Sequence, residues 1–83
     1  MNNNTYALAY NEKNDTPLAE SDFVGIRAGF PKAYYYQLLN AFGLGPFSFD
    51  EGVGSIMSMS RGREESKHVL NNLITLKLIT YVG

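Results

Sequence analysis

The chain has no cysteine and a single histidine, His68. That excludes disulfides, thiolate metal sites and cysteine nucleophiles together, and it leaves no ligand set for a structural zinc. A cysteine-free chain suits a reducing compartment, so the expectation is a cytoplasmic protein. No apolar run approaches the roughly 18 residues that a membrane span needs. The opening MNNN has neither the basic stretch nor the apolar stretch of a signal peptide. An excess of charge of one sign is also lacking, the formal net charge being −1. That balance counts against strong non-specific binding to nucleic acid, which depends on phosphate electrostatics. It leaves open a site-specific reader with a locally positive face.

Catalytic sets are missing too. Asp50 and Glu51 are neighbours, point apart on a helix and form no carboxylate dyad. His68 has no nucleophile at a recognisable spacing, so neither an enzyme nor a cofactor is expected. Gly43, Gly45, Gly52 and Gly54 match neither G-x-G-x-x-G nor a phosphate loop ending in G-K-[ST]. They read as turn and packing glycines.

What remains is one small domain of 83 residues with an ordinary 45% of hydrophobic residues, near the lower size limit for a self-sufficient core. Residues 1–22 divide into a short strand, Thr5 to Tyr10, and a polar loop, Asn11 to Pro17. From Phe23 to Phe30 an apolar stretch broken by Gly25 and Gly29 predicts extended chain. Pro31 suits the first residue of a helix that Gly43 stops. Tyr35, Leu38, Leu39 and Phe42 share a face of it. Leu44 to Phe47 predicts a turn with a possible bridge strand. Ser48 and Glu51 form the S-x-x-E of a capping box, opening a short helix over Phe49 to Met57. Gly52 and Gly54 each cost that helix about 1 kcal/mol relative to alanine, so close packing is the reason to expect them there. Met57 and Met59 flank the following turn and are expected to fill core space.

Ser60 to Val82 then reads as one amphipathic helix, capped by Ser60, running into a strand. Val69, Leu70, Leu73 and Leu76 fall on one side, with Ile74 at its edge. Ser60, Glu64, Lys67, His68 and Asn71 fall opposite. Ile79 to Val82 has strand character.

Three pieces resemble the winged helix-turn-helix superfamily, closest in pattern to the N-terminal domains of phage and plasmid replication proteins. They are FVGIRAGFPKAYYYQLLNAF (23–42), GPFSFDEGVGSIMSMSRGREE (45–65) and SKHVLNNLITLKLITYV (66–82). The resemblance implies an α+β fold: three helices and a small sheet, with residues 23–83 as the winged-helix domain. Two departures stand out. Lys77 occupies the position of the glycine that leads into the wing, and a left-handed conformation there would cost on the order of 1 kcal/mol. The wing also lacks its second strand. Either the N-terminal strand Tyr6 to Tyr10 pairs with Leu78 to Val82, or another chain does.

The resemblance implies a transcription regulator or replication accessory, a homodimer on double-stranded DNA, with the helix near Ser60 in the major groove. Its candidate contacts are Ser60, Arg61, Arg63, Glu64, Lys67, His68 and Asn71. Arg61 suits guanine and Asn71 adenine, while Arg63 can reach out to a phosphate. Lys77 and Tyr81 lie where a wing approaches the backbone. Between Arg61 and Lys67 positive charges exceed negative by one, and Glu64 can simply pair with Lys67 or His68. The alternative is therefore a phage-type protein that binds or inhibits a host complex without DNA. Tyr34, Tyr35 and Tyr36 bear on this choice. They point about 100° apart on a helix, so at most two can be buried. Tyr34 and Tyr36 are the candidate partner contacts; two core rings and one rim ring is the plainer account.

Overall fold

A computed structural model describes residues 4–25 and 29–83. Strand β1, Thr5–Leu8, is followed by a two-residue ladder of β2, Tyr10–Asn11, with β3, Thr16–Pro17. Three helices follow: α1, Phe30–Phe42; α2, Phe49–Ile56; and α3, Arg63–Thr75. Strand β4, Phe47–Ser48, precedes α2, and β5, Ile79–Tyr81, follows α3. The fold is α+β, three helices with small antiparallel sheets.

The main sheet has the order β4-β1-β5. The open strand after α3 is thus completed within the chain, by the N-terminal strand. Tyr6 lies opposite Tyr81, Ala7 opposite Thr80, and Leu8 opposite Ile79. Beyond β5, Val82 N–H donates to Thr5 C=O at 2.9 Å, and Thr5 N–H to Gly83 C=O at 2.7 Å. The first strand is therefore the centre of the sheet. An open strand leaves a row of unmade backbone hydrogen bonds, and β1 satisfies that row on one side of β5.

Leu8, Phe47, Leu78 and Ile79 from the sheet region meet Tyr35 and Leu38 of α1, Val53 and Ile56 of α2, and Leu70 and Leu73 of α3 in one core. Tyr35 is fully buried, and its hydroxyl stitches the N-terminal segment down. It donates to Ala9 C=O at 2.6 Å and accepts from Leu18 N–H at 3.1 Å. The shared face of α1 is seen, Leu39 and Phe42 being half-buried and Phe42 stacked on Phe47.

Several local expectations change. The N-terminal strand stops at Leu8, and the ends of the polar loop 11–17 form the β2–β3 ladder, with Asp15 left-handed at φ 54°. Residues 20–22 make a 3-10 turn, in which Asp22 accepts from Ala19 N–H at 2.7 Å. In the apolar stretch before α1, Phe23 is buried, whereas Val24 and Phe30 are 67% and 81% exposed. The part of the expected extended segment at 26–28 lies outside the described residues. Helix α1 starts at Phe30, making Pro31 its second residue, where a missing N–H still costs nothing. Met57 and Met59 form a 3-10 turn and are exposed, 38% and 40%, so they do not fill the core. Helix α3 ends at Thr75, and Lys77 stands left-handed at φ 64° before β5. Position 77 thus has the conformation that favours glycine, held by a lysine.

Candidate nucleic-acid interface

The unit that presents the candidate residues is α2, a short turn and α3. The capping box anchors its start. Ser48 Oγ accepts from Glu51 N–H at 3.0 Å, and Glu51 Oε1 accepts from Ser48 N–H at 2.8 Å. Gly52 then sets how closely the helices approach. A Cβ there would meet the Leu70 methyls at 3.1 and 3.2 Å and the Phe47 ring at 3.1 Å. Gly54 meets nothing within 4 Å, so packing explains the first glycine and not the second.

The cap of α3 differs from expectation. Its N-cap is Gly62 at φ 123°, with no side-chain bond. Ser60 and Arg61 therefore precede the helix. Two serines placed six apart draw the turn inward: Ser66 on α3 is fully buried and its hydroxyl reaches back to Ser60 and to Gly62 C=O. A serine that satisfies a core-facing group cannot also cap from outside.

Along α3, Glu64, Glu65, His68, Asn71, Asn72 and Thr75 are exposed, opposite the buried Ser66, Leu70 and Leu73. Lys67 is half-buried. Asn72 and Thr75 also belong to the outward face; Thr75 is four residues beyond Asn71 and Asn72 four beyond His68, a spacing that marks them.

The charges of this face are largely matched. Arg63 pairs with Asp50 of α2 at 3.1 Å, in place of the free outward reach expected of it, because α2 brings a carboxylate alongside. Lys67 pairs with Glu64 at 3.2 Å. Glu65 accepts from Arg61 N–H at 3.2 Å. Such exposed pairs are worth about 0–1 kcal/mol each, so a phosphate can take either cation. The Arg61 guanidinium and Lys77 make no ion pair among the described residues. They stand at opposite ends of α3, which over 13 residues spans about 20 Å.

Tyr81 is 59% exposed, stacks edge-on against Tyr6 at 5.7 Å and donates to Asn4 Oδ1 at 3.3 Å. The candidate tyrosines of α1 have their hydroxyls engaged within the chain. Tyr34 is buried and its hydroxyl donates to Met59 C=O at 3.2 Å; Tyr36 is half-buried and donates to Leu18 C=O at 3.3 Å. Chain segments on both sides of α1 claim the hydroxyls. Burial pushes the Tyr35 hydroxyl pKa up, against a lowering by the Leu18 hydrogen bond. Among the described residues no cluster of His, Asp and Glu could hold a metal ion, and no helix is long and apolar enough to cross a membrane.

The apolar exposure lies elsewhere, at Phe30. It borders a small groove of about 80 Å³ with Pro31, Tyr34, Val69, Asn72 and Leu73. The sequence carried no signal for this, since Phe30 reads as part of an apolar run. The chain matches no protein-family model, no curated protein and no solved structure.

Proposed function

We propose that the chain is a winged helix-turn-helix protein that reads duplex DNA with α3, acting as a homodimer in regulation of transcription or as a replication accessory in the cytoplasm. The observation that carries this reading is the outward face of α3. It offers His68, Asn71, Asn72 and Thr75 as hydrogen-bonding groups, bracketed by Arg61 and Lys77. Side chains of these types match base edges in a major groove and phosphates at its rims. Helix α3 is held at its base by the Gly52–Leu70 contact and the buried Ser66. A rigid base is what a reading helix needs, because misplacement by about 1 Å loses a bidentate contact.

A second reading, a module that binds a protein partner without DNA, is favoured by two observations. Arg63 and Lys67 are matched by Asp50 and Glu64, while Phe30 stays 81% exposed.

Selection from a random-sequence duplex pool, followed by affinity against salt, separates the two. Arg61, Arg63, Lys67 and Lys77 give four cations per protomer. On the DNA reading the slope of log K against log salt should be about −3 to −4 per protomer. Arg61→Glu with Lys67→Glu should abolish enrichment. No enriched duplex, together with no binding at low salt, would transfer the weight to the protein-partner reading.

A further inference from the structure

Arg61 lies outside α3, on a turn, yet the chain on both sides of it is tied to the core. Apart from the tyrosines, Ser66 is the only buried polar or charged residue among those described, at 0% exposure. Its hydroxyl lies 2.9 Å from Gly62 C=O and contacts Ser60 Oγ, which itself donates to Gly62 C=O at 3.2 Å. Ser66 N–H donates to the same carbonyl at 3.0 Å. Glu65 takes the N–H of Arg61. The two neighbours of Arg61 are thus fastened from below and its own backbone from the side. The guanidinium is left exposed and without an ion pair among the described residues.

An alanine at position 66 would fill almost the same core volume and favour the helix slightly more. The hydroxyl therefore contributes nothing to packing that alanine lacks. What it adds is a hydrogen-bonded floor under residues 60–62. Gly62, at φ 123°, needs such support, because its conformation is one of many open to glycine.

We propose that Ser66 is a positioning residue for Arg61. Its buried hydroxyl, working through Ser60 and Gly62, pre-orders the turn so that the guanidinium is presented ahead of the outward face of α3. What Arg61 then touches rests on the DNA reading above; the ordering of the turn does not.

The test has two arms. In the free protein, ¹⁵N relaxation should give Arg61 and Gly62 order parameters near the rigid value of about 0.85. Ser66→Ala should drop both below about 0.6 and leave residues 66–75 rigid. Ser60→Ala, which touches no core volume, should do the same, and the double variant should add nothing. In the second arm, on the duplex enriched from the random pool, Arg61→Ala should weaken binding about 10-fold. Ser66→Ala should weaken it about 5-fold in the parent and leave it unchanged in the Arg61→Ala background. Unchanged order parameters at Arg61 in both serine variants would overturn the proposal. So would a Ser66→Ala loss of equal size in both backgrounds. If no duplex is enriched, the DNA reading fails on its own and the relaxation arm alone decides the positioning role.

Discussion

Two glycines two residues apart in one helix should respond to alanine differently, only one of them gaining stability. At Gly54 the added methyl meets nothing within 4 Å, and the residue is exposed. Only the helix propensity changes, so Gly54→Ala should stabilise by about 1 kcal/mol. At Gly52 the same gain is opposed by three contacts at 3.1–3.2 Å, with Leu70 and Phe47. Leu70 is 0% exposed and Phe47 1% exposed, so neither has free space to retreat into. Overpacking of this sort costs about 1–3 kcal/mol. Subtracting the propensity gain leaves Gly52→Ala neutral to about 2 kcal/mol destabilising. The two variants should thus differ by about 1–3 kcal/mol. In a domain of this size 1 kcal/mol moves Tm by about 4–8 °C. Urea unfolding of the parent and both variants, fitted with a common m-value, measures the difference directly. If Gly52→Ala proved as stabilising as Gly54→Ala, the α2–α3 contact would be looser than the distances state, and the account of Gly52 as the spacer between these helices would be wrong.

Other perturbations follow from single contacts. Tyr35→Phe removes the partner of both Leu18 N–H and Ala9 C=O and should destabilise by about 1–3 kcal/mol in urea titrations. Tyr35 also predicts a pH dependence. Its folded-state pKa is raised above the ordinary tyrosine value of 10.0, chiefly by burial. The folded state therefore holds the proton longer than the unfolded state does. That contribution is intact below about pH 10 and is lost as pH rises from there toward the folded-state value. Tyr35→Phe should flatten this decline in an alkaline stability profile. Lys77→Gly, at φ 64°, should stabilise by about 1 kcal/mol, seen as a higher Tm. Ser48→Ala should cost about 1 kcal/mol by removing half of the capping box, with the loss read from the urea midpoint. In hydrogen exchange, Ala9 and Val82, whose N–H groups cross between the N-terminal and C-terminal segments, should be among the protected amides.

The elements were written in local chemistry. Ser48 and Glu51 mark the start of α2 because a capping box is made by residues three apart. Gly43 stops α1 at φ 63° because a side chain is disfavoured there. The alternation of Leu70 and Leu73 with Asn71 and Asn72 shows which side of α3 turns inward, since helical period alone decides it. The outward group His68, Asn71 and Glu64 was legible for the same reason. Features that depend on distant partners were not. Nothing near Arg63 predicts Asp50, which is 13 residues earlier and arrives only when α2 packs on α3. Ser60 looks like a helix cap until the buried Ser66 takes its hydroxyl. Tyr34 looks available until Met59 C=O claims it. The N-terminal strand reads as one of two candidate partners for the strand after α3, and its place at the centre of the sheet is not legible, because its partners Phe47 and Ser48, and Ile79 to Tyr81, lie tens of residues away. Sequence by itself determined where the three helices lie, though not where α3 begins, and which of their faces are apolar, since spacing of three or four residues governs both. Only the tertiary structure decided which strand closes the sheet and which surface charges are matched, since both depend on groups that folding alone brings together.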